Sequence, residues 1–169
     1  MMGAGKTAVG KALAVRLGAQ FLDSDAEIEA AANMTIAEIF QRDGEAFFRD
    51  RETEVIDRLM ETQCCVLSTG GGAFLSERNR ALISQKGVSV WLNAELKLLW
   101  GRVRHKDTRP LLRTDNPYQT LRALYDARVP IYAQADLAVM ARPEYSIDQM
   151  TDQVMDALVQ RPDVVEANT

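Results

Sequence analysis

The residues best suited to chemistry open the chain. Gly3-Ala4-Gly5-Lys6-Thr7 runs straight into an apolar helical pattern at Val9, Leu13 and Leu17. These five residues cover the end of the phosphate-loop pattern G-x-x-x-x-G-K-[ST]. Glycines let backbone N–H groups close around phosphate oxygens, and a helix that starts there adds its positive end. In that arrangement Lys6 reaches the β- and γ-phosphates of a nucleotide, and the Thr7 hydroxyl sits on Mg²⁺. The plainer alternative is a small-residue turn that starts a helix.

Asp23 and Asp25 end a short strand signal, Gln20-Phe21-Leu22. Strand alternation would point both carboxylates to one side. One would then serve Mg²⁺ through water and the other a hydroxyl to be phosphorylated; otherwise the segment is a turn with Asp25 as helix N-cap. Arg49 and Glu52 lie on one helix face, as in an ordinary surface ion pair. Arg49 and Arg128 flanking a cleft would instead suit a small carboxylate, which guanidinium binds in a bidentate fork. Gly70-Gly71-Gly72 is either a flexible turn or a place where a ligand touches backbone. Arg102, Arg104, Lys106 and Arg109 form a basic segment, commonly a solvated face. Phosphoryl transfer needs a cation over the transferring group, and Arg109, beside Pro110-Leu111-Leu112, is the candidate.

The elements that must hold these residues follow from periodicity. A helix is expected over residues 5–18, closed by Gly18, then the strand at 20–22 and a helix over 26–32. Thr35 and Glu38 form a capping box for a helix that Gly44 breaks, and a longer helix follows over 45–61. Cys64 to Ser68 is an unalternated strand, as expected when both faces are covered. Further helices are expected over 76–86, 94–104, 117–127 and 146–160, with strands at 88–92 and 137–140. Residues 105–117 dissolve into charge, proline and turn residues and read as a flap. Strand alternating with helix gives the α/β class with a parallel sheet. Ligands in such sheets collect at the carboxyl ends of strands, where the candidate residues fall.

With 169 residues the chain suits one domain. A formal charge of −4 argues against nonspecific nucleic-acid binding. No apolar run approaches a membrane span and no signal segment is evident, so a cytoplasmic location and no membrane partner are expected. Adjacent Cys64 and Cys65 read as buried strand residues. His105, the single histidine, leaves little scope for histidine-based metal or triad chemistry.

Together these residues resemble the shikimate kinase family. The markers are M-G-A-G-K-T at the front, D-S-D at 23–25, F-F-R-D-R-E at 47–52, G-G-G at 70–72, R-P-L-L at 109–112 and R-V-P-I-Y at 128–132. The resemblance covers residues 1–160 as a single domain, with a substrate-binding segment near 24–62, a lid near 105–117 and a polar tail over 161–169. It implies a three-layer α/β/α P-loop kinase with a five-stranded parallel sheet. It also implies transfer of the ATP γ-phosphoryl group to the 3-hydroxyl of shikimate.

By that resemblance Gly3, Ala4, Gly5 and Lys6 bind ATP phosphates, Thr7 ligates Mg²⁺, and Asp23 supports the metal through water. Asp25 binds the acceptor hydroxyl and acts as base. Arg49 and Arg128 hold the shikimate carboxylate, with Glu52 orienting Arg49. Gly70, Gly71 and Gly72 line the substrate, Gly71 through its backbone. Arg109 is the lid arginine, Arg102 packs on adenine, and an adenine-contacting loop falls near 142–146, with no single residue assigned in it. Partners are small molecules only, and a monomer is expected. The alternatives are another small P-loop kinase, such as gluconate kinase, or an inactive nucleotide-binding homologue. Family members carry a strand and the first loop glycine before the position of Met1, so the natural protein is expected to begin upstream.

Overall fold

The structure is a computed structural model that describes residues 1–62, 64–105 and 110–164. The chain forms two compact units, Met1–Val9 with Ser89–Thr169, and Gly10–Val88. Helix α1 (Lys6–Leu17) begins in the first unit and continues into the second.

In the unit over Gly10–Val88, strand β1 (Gln20–Asp23) pairs in parallel with β2 (Cys65–Ser68), with Gln20 opposite Cys65 and Asp23 opposite Ser68. Helix α2 (Ser24–Ala32) starts one residue beyond the strand. Its N-cap is Asp23, not Asp25: Asp23 Oδ1 accepts from the N–H groups of Asp25 at 3.0 Å and Ala26 at 3.3 Å. Asp25 therefore belongs to a helical turn, and the strand-alternation argument for the two carboxylates does not apply. Helix α3 (Ile36–Thr62) carries the expected capping box. Thr35 N–H donates to Glu38 Oε2 at 2.7 Å, and Glu38 N–H donates to Thr35 Oγ1 at 3.2 Å. Gly44 interrupts α3 with φ 85° and ψ 171°, and the helix resumes at once.

Ile28 of α2 packs with Ile39, Phe48, Val55 and Leu59 of α3, covering Leu22 and Leu67 of the two strands. Ile56 meets Ala73 and Ile83 in a second cluster. Each fully buried aliphatic side chain of this kind contributes about 1.5–3 kcal/mol relative to exposure. After β2 the chain makes a 3-10 turn at Ala73–Leu75, which periodicity did not reveal, and then α4 (Glu77–Lys86) with Ser76 as N-cap. Cys64 is exposed and precedes β2, and Cys65 is half-buried, so the expected buried pair is not what forms. Where the chain leaves α3, a residue at position 64 has no strand partner to cover it.

In the other unit, β3 (Val90–Asn93) pairs in parallel with β4 (Leu137–Met140). Their entry is pinned by Asp136 Oδ2, which accepts from Ser89 N–H at 2.7 Å and Ser89 Oγ at 2.6 Å. Helix α5 (Leu96–Val103) packs on α6 (Pro117–Tyr132), and α7 (Ile147–Leu158) packs on β4. Helix α6 runs past its expected end at 127 and through Pro130. Proline withholds one backbone donor there, but Tyr132 beyond it is buried and tilted against Trp91 with ring centroids 6.4 Å apart. That burial holds the last turn in place. Among the described residues the four strands make two parallel pairs, which is the α/β class expected. No helix among them is long and apolar enough to cross a membrane.

Candidate active site

The phosphate-loop residues are shaped by backbone. Gly3 (φ 77°) and Gly5 (φ 90°) both lie in the left-handed region that favours glycine. At Gly3 space is limiting as well, since a Cβ there would stand 2.8 Å from Val103 Cγ1. Helix α1 starts at Lys6, directing its first-turn N–H groups and positive end at the loop. Lys6 Nζ donates to Met1 O at 3.2 Å, which folds the cation back over the loop. Arg102, in the last turn of α5, donates to Gly3 O at 3.1 Å.

These residues line a cavity of about 480 Å³. One wall is Met2–Val9 and Arg102; the other follows the carboxyl end of β4, with Arg142, Tyr145, Ser146 and Ile147. The Arg142 guanidinium lies 5.7 Å from the Tyr145 ring centroid. A cavity of this size suits a small cofactor-sized ligand. It combines a phosphate-ready end with an aromatic and guanidinium wall that can meet a planar base. This wall covers the stretch near 142–146 where the resemblance places a loop without assigning residues; it carries no motif, and its place after a strand's carboxyl end is the physical signal for it.

The second group lies in the unit over Gly10–Val88 and is built from side chains. Arg49 Nη1 pairs with Glu52 Oε2 at 2.8 Å, and Arg49 Nη2 reaches Glu45 Oε1 at 3.4 Å. The Glu52 side chain is only 1% exposed, so the surface-pair reading fails for this residue. Burial pushes the Glu52 carboxyl up; the Arg49 hydrogen bond and charge pull it back, and the Asp25 charge adds to the rise. Burial works against the Arg49 charge as well, yet the Glu52 bond and charge, helped by Glu45, hold the guanidinium above its usual range.

Asp25 and Arg49 both lie against the glycine turn. A Cβ on Gly70 would stand 2.8 Å from Asp25 Oδ1, and one on Gly72 would stand 2.5 Å from Arg49 Nη2. Residues 25, 49, 52, 70 and 72, scattered in sequence, thus converge on the carboxyl ends of β1 and β2. Asp23 lies beside them, with Oδ1 committed to capping α2.

Gly3, Ala4, Gly5, Lys6, Thr7 and Arg102 share one cavity. Arg128, on α6, is half-buried and hydrogen-bonds to Tyr132. Burial raises the Tyr132 phenol, and the Arg128 charge and bond oppose that rise. Arg104 and His105 are exposed. Arg109 and Lys106 lie outside the described residues. Among the described residues no three His, Cys, Asp or Glu side chains gather into a metal cluster. The Thr7 hydroxyl and the Asp23 carboxylate are each oxygen donors of the kind Mg²⁺ accepts, an ion that keeps several waters and takes much of its shell from substrate phosphates.

The family model for shikimate kinase matches residues 2–159. The chain belongs to the shikimate kinase family. A shikimate kinase of Ruegeria pomeroyi is 70% identical over 166 residues, covering 98% of this chain and 85% of the relative. One of Cereibacter sphaeroides is 64% identical over 168 residues, covering 99% of this chain and 84% of the relative. Among solved structures, shikimate kinase from Acinetobacter baumannii in complex with shikimate superposes with a TM-score of 0.84. It is 39% identical and covers 94% of this chain and 89% of its own. The enzyme from Aquifex aeolicus gives 0.80 at 30% identity, covering 94% of this chain and 92% of its own. Membership of this family makes the chain a kinase with a P-loop α/β fold.

Proposed function

We propose that the chain transfers the γ-phosphoryl group of ATP to the 3-hydroxyl of shikimate, giving shikimate 3-phosphate and ADP. The observation that carries this reading is the seat at the glycine turn. A carboxylate, Asp25, and a guanidinium braced by a buried glutamate, Arg49 on Glu52, lie side by side there. A hydroxylated carboxylic acid needs that pair, the guanidinium for its carboxylate and the aspartate for the hydroxyl that reacts.

Asp25 takes the proton as the acceptor oxygen bonds to phosphorus. The bond from the γ-phosphorus to the bridging oxygen breaks, and ADP departs. Lys6 and the loop N–H groups hold the phosphate oxygens as charge spreads over them. Arg49 and Arg128 hold the shikimate carboxylate, and Gly71 meets the ring hydroxyls through its backbone. Arg109 supplies the lid cation, and Arg102 packs on the adenine with the 142–147 wall opposite. Thr7 and, through water, Asp23 hold the Mg²⁺, which neutralises phosphate charge when bound. The enzyme works as a cytoplasmic monomer on small molecules.

The test is ADP release with Mg-ATP and shikimate, gluconate or no acceptor. Release that depends on shikimate alone is expected. Release with gluconate and none with shikimate would replace the substrate while keeping the reaction. Nucleotide binding without release under any condition would leave a binding protein.

A further inference from the structure

The three glycines at 70–72 are not explained by backbone conformation. Gly72 has φ −84° and ψ −22°, an ordinary helical setting that any residue adopts. The glycines at positive φ among the described residues are Gly3, Gly5, Gly18 and Gly44, none of them in this turn. At Gly70 and Gly72 what excludes a side chain is the neighbourhood. At Gly70 both oxygens of Asp25 lie within 3.0 Å of where a Cβ would be, and at Gly72 three guanidinium atoms of Arg49 lie within 2.9 Å.

The turn itself is fixed from beneath. Ala73 is fully buried, and its carbonyl accepts from Asn79 Nδ2 at 2.9 Å. Asn79 Oδ1 accepts from Thr53 Oγ1 at 2.7 Å, and Thr53 stands one turn along α3 from Arg49. Asn79 is 1% exposed and Thr53 is 6% exposed, so this relay is shielded from water and costly to break. Ala73 N–H donates to Gly70 O at 3.1 Å and Leu75 N–H to Gly72 O at 3.1 Å, closing the turn on itself. The same helix that carries Arg49 thus holds the turn against which Arg49 rests.

We infer that Gly70 and Gly72 are positioning residues. Hydrogen at position 70 makes the seat for the Asp25 carboxylate, and hydrogen at position 72 makes the seat for the Arg49 guanidinium. The Thr53–Asn79–Ala73 relay keeps both seats at fixed depth. The inference rests on the roles proposed above for Asp25 and Arg49. A methyl group added at either position meets the far end of a side chain rather than backbone. The fold therefore yields at the functional group and stays otherwise intact. The two glycines serve different steps: the first sets proton transfer, the second sets carboxylate binding.

The experiment compares wild type, Gly70→Ala and Gly72→Ala by steady-state kinetics in shikimate at saturating Mg-ATP, by melting temperature and by crystal structure. In Gly70→Ala, kcat is expected to fall about 10²-fold with little change in the shikimate KM, as for a catalytic group misplaced by about 1 Å. In Gly72→Ala, KM is expected to rise about tenfold or more with kcat less affected. Melting temperatures stay near wild type, and the turn's backbone is unmoved. Wild-type kinetics in both variants would overturn the inference, as would one common defect in both. A variant that fails to fold would overturn it too, because the side-chain ends and not the turn must yield. If wild type itself does not phosphorylate shikimate, the proposed function is wrong. The displacement of Asp25 and Arg49 in the crystal structures then still decides the steric claim.

Discussion

The two units hold their candidate residues by different means. In the unit containing Met1–Val9, the site is written mostly in backbone: two left-handed glycines, a helix end and carbonyls that take Lys6 and Arg102. In the unit over Gly10–Val88, side chains hold side chains. Glu52 braces Arg49, and two missing Cβ atoms make room for Asp25 and Arg49. Phosphate is a near-symmetrical anion that main-chain N–H groups can cradle. A particular hydroxyl beside a particular carboxylate needs directional groups at set positions. The difference therefore follows from what each half has to recognise.

Asp25→Asn gives the largest expected effect and sharpens the contrast. Loss of the proposed base should lower kcat by about 10²–10⁴-fold, while ATP affinity, measured by calorimetry, stays near wild type. Equal damage to ATP affinity would show that the halves are not functionally separate. Arg128→Ala is the variant best able to break the comparison, because Arg128 belongs to the same unit as the phosphate loop. Its loss should raise the shikimate KM about tenfold or more and leave the ATP KM unchanged. An ATP-specific defect would return Arg128 to the nucleotide.

Glu52→Gln should have a smaller effect, read through pH. The folded carboxyl titrates above its ordinary value of 4.5. Its contribution to stability is therefore complete below the unfolded value and is lost as pH rises through the folded one. Wild type should lose stability relative to Glu52→Gln as pH rises above 4.5, followed by thermal melts. A difference that is flat in pH would mean that burial does not raise this group. Thr35→Ala should do least, costing about 1 kcal/mol of stability through the lost cap. Both kinetic constants should be unchanged, since the box lies on the far side of Gly44 from Arg49.

The same contrast explains what was legible in the sequence. Gly3 to Thr7 act through consecutive backbone, so spacing alone displayed them. The capping box at Thr35 and Glu38 and the break at Gly44 are equally local, and both formed as read. Arg49 and Glu52 showed as a pair at helical spacing, but spacing could not tell a surface pair from one with a buried glutamate. That depends on what α3 packs against. Asp25 was mistaken for a strand-end or capping residue because both aspartates suit an N-cap, and the choice of Asp23 depended on where β1 stopped. At Arg142 to Ser146 the resemblance points to a region without assigning a residue, because a surface that meets a planar base needs shape and planarity rather than a fixed run of residue types. Helix α6 outran its expected end because burial of Tyr132 overrode the local effect of Pro130.

Gly44 has the opposite requirement from Gly70 and Gly72. Apart from the adjoining residues and the helix's own nearby backbone, no atom lies within 4 Å of the position a Cβ would take there. Its φ of 85° and ψ of 171° fall where L-residues are strained. The restriction at this break is therefore one of chirality alone. The mirror image of those angles is ordinary extended backbone, so a D-alanine at position 44, introduced by chemical ligation, escapes the strain that an L-residue meets there. Fewer unfolded conformations would then stabilise the chain by about 0.4–1 kcal/mol. At this point in α3 the ribosome's single-handed alphabet, rather than the fold, is what makes glycine the required residue.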